Sequence, residues 1–245
     1  FGVIVAASAV VFPTSNTVTA AEFAVETEAD LNTAISSAVT GDTITLNNDV
    51  VITGTKTITV GVTINGNGHT ITVPEPGLTT AGTFNTSASN FNALTINASG
   101  QTVTLENLTV IGGSSSTQGM GVRLTAGTLI GDELIITQSR GTGGGGGLMV
   151  SSGTKAHLID SVIYRNSGLY GGGFLNQGVL ILQRSTLSEN RSESLNGGGG
   201  AGENKLSGDL YILNSTFSNN QSTEIGGAIN NYGADMYVAG STFTG

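Results

Sequence analysis

Glu133, Asp160 and Arg184 hold one position of a repeated segment, and Arg165 and Glu189 hold another, so the few charges of this chain fall into two aligned sets. Carboxylates grouped on one outer face, with a nearby Arg to neutralise an acidic sugar, are what glycoside hydrolysis or polysaccharide elimination requires. Glu133, Asp160 and Arg184 are therefore the candidates for catalysis on a polysaccharide, and calcium would be a cofactor only under that reading. The same alignment places Asp160 one repeat from Arg184, and Arg165 one repeat from Glu189, so opposite charges face each other as surface ion pairs. The matched signs favour scaffold over catalysis.

Other reactive side chains are isolated. His69 and His157 have no partner at metal-ligand or triad spacing, and no metal site is expected. Asn65-Gly66-Asn67-Gly68 lacks the Lys and Ser/Thr of a phosphate loop, and the glycine run at 143–147 fits no nucleotide fingerprint. Tyr164, Tyr211 and Tyr237 could stack on sugar rings if exposed, although Tyr is also an ordinary strand residue. Zero cysteines exclude disulfides and thiolate chemistry. A net charge of −9 with only eight Lys+Arg leaves no basic patch for nucleic acid or an anionic membrane surface.

The elements that must position these residues follow from periodicity. With 38 Gly, 3 Pro and 10% charged residues, the composition favours short strands joined by Gly/Asn turns. Residues 1–12 are apolar and uncharged, too short to span a bilayer, and Val18-Thr19-Ala20 resembles a small-residue cleavage site. Residues 1–21 are therefore expected to be a signal-peptide remnant, with no membrane insertion by the mature segment. Residues 22–40 form a cap, in which Thr27 and Asp30 make the N-terminal box of a helix presenting Leu31, Ala34, Ile35 and Ala38 on one face. From Gly41 the period changes to two. A polar loop is expected from about Leu78 to Asn92.

Later, Gly-rich turns, paired short strands and a terminal Asn recur, best seen from Gly171 to Asn190. The residue opening one strand of each repeat is Leu108, Leu134, Ser161, Ser185, Ser215 or Ser241, 24 to 30 residues apart. Asn166, Asn190 and Asn220 close their repeats, which predicts a stacked amide column that satisfies the turn backbone. Longer insertions, as at 192–199, should fall in turns.

Asp30-Leu31 to Ile35, Gly41-Asp-Thr-Ile-Thr-Leu46 and Ile64-Asn-Gly-Asn-Gly-His-Thr-Ile71 resemble the opening of right-handed parallel β-helix proteins of the pectate-lyase-like kind. The resemblance runs from about residue 23 to 245 and implies an all-β right-handed parallel β-helix, three strands per coil, behind a capping helix. Gly226-Gly-Ala-Ile229 and Phe217-Ser-Asn-Asn220 resemble repeats of polymorphic outer-membrane proteins and autotransporter adhesin passengers. That resemblance implies a secreted, cell-surface stalk, truncated within 41–245 at its C-terminal end. Its partners would be a glycan, a host or cell-surface protein, or other copies of itself, with no cofactor. The alternative is a polysaccharide lyase or glycoside hydrolase.

Overall fold

The computed structural model describes residues 19–78, 83, 85, 88–116, 119–193 and 198–245, so positions 1–18 of the expected signal remnant and much of the 78–92 loop lie outside the described residues. Glu22–Val25 pairs in parallel with Thr43–Leu46. Between them Glu28–Ser37 is helical, with Thr27 and Asp30 forming both bonds of a capping box. Leu31 and Ala34 are buried against the first coils. Lys56 Nζ meets Glu28 Oε1 at 2.6 Å, which ties the helix to the first full turn.

The rest is a parallel β-solenoid of about six turns, feeding three sheets of 14, 8 and 5 strands. In the first sheet, Leu94–Glu106 and Val122–Asp132 are long strands that follow the wall through a change of direction, and their pairing shifts register between Leu124 and Thr128. In the next coil the same path breaks into Leu148–Val150 and Lys155–Ile159.

Parallel in-register stacking places like over like about 4.8 Å apart. Leu105, Gly131, Leu158, Leu182 and Ile212 are successive partners on one wall. Ile136, Ile163, Leu187, Phe217 and Phe243 are successive partners on another, and it ends in Phe217 and Phe243 rings stacked at 4.7 Å. Where Phe174 enlarges its column, Gly202 follows it. A Cβ on Gly202 would lie 2.2 Å from the Phe174 ring.

Corners between sheets are single left-handed residues. Asn107, Glu133, Asp160, Arg184 and Asn214 have φ of 45° to 50°, and Gln138, Arg165, Glu189 and Asn219 have φ of 51° to 54°. Each still donates its N–H to the next coil, as Glu133 does to Ile159 and Asp160 to Gln183, so the ladder continues through the bend. That continuity holds a conformation that costs a non-glycine residue about 1–2 kcal/mol.

Side-chain columns complete the corners. Ser161, Ser185 and Ser215 each return a hydroxyl hydrogen bond to the carbonyl two residues back, and their Oγ atoms accept the N–H of the equivalent residue one coil earlier, Leu134, Ser161 and Ser185 in turn. Asn166 Nδ2 donates to Asn190 Oδ1, and Asn190 Nδ2 to Asn220 Oδ1, both at 3.1 Å. Each amide also donates to a carbonyl of the coil before it, Ile136 for Asn166 and Ile163 for Asn190.

Two substitutions test these corners by thermal unfolding. Glu133→Val should destabilise by about 1–2 kcal/mol relative to Glu133→Gly, because only the β-branched residue resists positive φ. Asn190→Leu should cost about 2–4 kcal/mol, since it orphans a buried N–H and buried carbonyls, whereas Glu189→Ala should change the melting temperature little. Equal melting of Asn190→Leu and Glu189→Ala would contradict the role given to the amide column.

Candidate functional site

Glu133, Asp160 and Arg184 sit on successive left-handed corners, which aim their side chains away from the core. Arg184 grips Asp160 with two hydrogen bonds, Nε to Oδ1 at 2.8 Å and Nη2 to Oδ2 at 2.7 Å. Those bonds hold the Asp160 carboxyl below the ordinary aspartate value, which suits a permanent ion-pair partner better than a proton donor. Arg165 Nε reaches Glu189 Oε2 at 2.7 Å on the other corner column. Glu133 takes no part in either pair. With Asn65, Glu106, Asn107 and Asp132 it lines an open depression of about 250 Å³. Among the described residues, no three His, Cys, Asp or Glu side chains gather as a metal site.

The aromatic candidates separate. Tyr211 and Tyr237 are partners on the first sheet, with ring centroids 6.5 Å apart and planes tilted by 46°, and they line a surface depression with Asp209 and Asp235. Tyr164 lies on the second sheet with the Arg165 guanidinium 5.9 Å from its ring. His157 Nε2 meets Gln183 Oε1 at 2.9 Å across one coil, and His69 Nδ1 lies 3.4 Å from Asp49.

Several polar constellations escape a reading by repeat position. Glu193 accepts two bonds from Arg140, at 3.2 and 2.9 Å, across 53 residues, and another from the Ser167 hydroxyl. Asn176, Asn204 and Asn231 make a second amide column with Nδ2 to Oδ1 distances of 2.8 Å. Its signal was present, a Gly a few residues after each Asn, at Gly178, Gly208 and Gly233.

The most unusual group is Glu203. Its column on the first sheet runs Thr95, Arg123, Met149, Leu175, Glu203, Asn230, so a carboxylate follows two apolar side chains in a column that is polar at both ends. All of Met149, Leu175 and Glu203 are buried, Glu203 at 3% exposure, although this face points away from the main core. Glycine turns make that burial possible. A Cβ on Gly171 would lie 3.0 Å from the Glu203 nitrogen, and one on Gly199 would lie 2.6 Å from that of Asn230, so each turn lies close over the strand of the following coil. The aligned segments Gly-Gly-Leu-Met149, Gly-Gly-Phe-Leu175 and Gly-Ala-Gly-Glu203 carry this exception in the sequence itself.

Glu203 opens into a pocket of about 310 Å³ shared with Tyr170, Lys205, Asn230 and Tyr232. Asn230 Nδ2 approaches Glu203 Oε2 at 3.4 Å, and Lys205 Nζ lies 3.7 Å from Oε1. The same ammonium sits 4.4 Å from the Tyr170 ring centroid, a cation–π distance that draws Lys205 to the side of the pocket. Burial raises the Glu203 pKa above the usual 4.5, and Lys205 and Asn230 offset only part of that rise.

Residues 22–134 match the family model described as "Putative pectate lyase-like adhesive domain". That segment, a little under half of the chain, is thus similar to a pectate-lyase-like adhesive domain, and the parallel β-solenoid agrees with the likeness. The matched segment covers the cap and the coils up to Glu133, so the Glu203 pocket lies beyond it. No curated protein and no solved structure matches the chain.

The raised pKa has a stability consequence of definite sign. The folded state binds the Glu203 proton more tightly than the unfolded chain does. Its contribution is therefore complete below about pH 4.5 and is lost as pH rises through the raised native value. Glu203→Gln should melt about 2–4 °C above the parent at pH 7, with the difference closing near pH 4 in a calorimetric series.

Proposed function

We propose that this chain is an exported adhesive stalk, a passenger-type β-helix that presents its lateral faces to a glycan, to a host or cell-surface protein, or to neighbouring copies. The match of residues 22–134 to an adhesive domain carries this reading. The state of the charges supports it: Asp160 with Arg184, Arg165 with Glu189 and Arg140 with Glu193 are joined across coils, which uses ionisable groups to hold the scaffold. A solenoid of this kind is long and stiff, because each coil contacts its neighbours through continuous ladders, and it can carry binding sites far from an anchor. The repeat likeness to outer-membrane and autotransporter passengers supports display at a cell surface, with no cofactor.

A second reading is favoured by one observation. Glu106, Asp132 and Glu133 converge on one depression, and polysaccharide cleavage by a lyase or hydrolase would use such a cluster, with calcium if the substrate were acidic.

The two readings separate in one pair of assays. Immobilised chain should retain cells or glycan-coated beads, while acidic and neutral polysaccharides incubated with it should yield no new reducing ends or unsaturated products. Rapid cleavage that disappears in Glu133→Gln or Asp160→Ala would replace the adhesive reading with the enzymatic one.

A further inference from the structure

Three features of the Glu203 pocket require a common explanation. A carboxylate is buried directly after Met149 and Leu175, with an apolar side chain on one side of it in the column, Asn230 on the other, and no opposite charge on either. Its partners are incomplete, one long contact to Asn230 and one loose ion pair to Lys205, and this leaves acceptor capacity on both oxygens. Beside it Tyr170 and Tyr232 line the walls of a cavity large enough for one sugar ring.

We propose that the pocket formed by Tyr170, Glu203, Lys205, Asn230 and Tyr232 binds a neutral pyranose unit of a glycan. This deepens the adhesive reading and rests on it for biological meaning, although the chemistry stands by itself. Glu203 accepts hydrogen bonds from sugar hydroxyls, and the ionised acceptor makes each stronger than a neutral one. Asn230 supplies an amide that can donate and accept at a third hydroxyl. Tyr232 offers its face to the apolar side of the ring. Lys205, held by the Tyr170 ring, balances the charge of Glu203 without filling the cavity.

Charge selects among sugars. A uronate would bring a second carboxylate into a low-dielectric site that already holds one, with only Lys205 to share between them. The pocket therefore discriminates against the acidic units on which pectate-lyase-like folds commonly act. A single carboxylate also lacks the paired acid and base of a glycosidase, so the site binds without cleaving.

Saturation-transfer NMR with the whole chain tests this, using oligosaccharides of glucose, galactose, mannose and N-acetylglucosamine beside oligogalacturonate. At least one neutral series should show ring-proton signals with a Kd of about 1 mM, typical of one shallow sugar contact. Tyr232→Ala and Glu203→Gln should each weaken it about tenfold, while Val51→Ala, at an exposed strand position in the first coils, leaves it unchanged. Both pocket variants must melt at or above the parent temperature, which separates lost binding from lost folding. Absence of any neutral-sugar signal, signals that persist in both pocket variants, or tighter binding of oligogalacturonate would each overturn the proposal. The adhesive reading is judged separately. Retention of cells that is unchanged by Tyr232→Ala and Glu203→Gln would sink the pocket and leave adhesion standing. Pocket-dependent sugar signals without retention on any surface would leave the pocket standing and sink adhesion.

Discussion

In-register parallel stacking is the constraint on which the rest of this protein depends. Every side chain meets its equivalent from the next coil one strand spacing away, so a position tolerates only groups that accept close company. Aliphatic side chains do so by packing, as in the column from Ile136 to Phe217. Serine does so because its hydroxyl donates to one carbonyl while accepting the N–H of the neighbouring coil. Asparagine does so because one amide donates while the next accepts, which lets Asn166, Asn190 and Asn220 repeat without an orphaned group. Like charges gain nothing from such stacking, and where Glu106 pairs with Asp132 and Asp209 with Asp235 the carboxylates face open surface depressions.

The same constraint pairs most of the aligned corner charges. Corners are left-handed and project outward, so Asp160 and Arg184 sit one coil apart with no intervening backbone, and each is the other's nearest counter-charge. The bidentate bond that results lowers the Asp160 pKa and occupies the guanidinium. Glu203 breaks this pattern. It is neither stacked against an opposite charge in its own column nor exposed, and glycine turns lie close to the backbone of its strand. A buried, half-satisfied carboxylate lowers the stability of the scaffold at neutral pH, whereas the paired surface charges do not.

How much of this was legible in the residues depends on the range of each interaction. The helix could be read because capping is local: Thr27 and Asp30 are three residues apart and carry their own geometry. The solenoid could be read because a repeat converts a contact 24 to 30 residues away into an alignment, so the fold class, the 166–190–220 amide column and the Asp160–Arg184 and Arg165–Glu189 partners all follow from lining up copies. Glu193 could not be assigned to Arg140 in this way, because it reaches across two coils, and alignment of neighbours compares only adjacent ones. Tyr164 could not be separated from Tyr211 and Tyr237 either, since all three are strand residues and only the sheet they join tells them apart.

The sequence by itself determined the repeat, the period-two strands, the helical cap and the identity of each stacked column, because these rest on local propensity and on equivalence between copies. Only the tertiary structure decided which outward positions are in fact buried. That depends on how closely a glycine turn lies over the strand of the next coil, and a turn's path is set by three-dimensional packing that no residue type encodes alone. Glu203 looks in the alignment like one more polar substitution in a polar chain. The turns around Gly171 and Gly199 make it a carboxylate removed from water at the wall of a pocket.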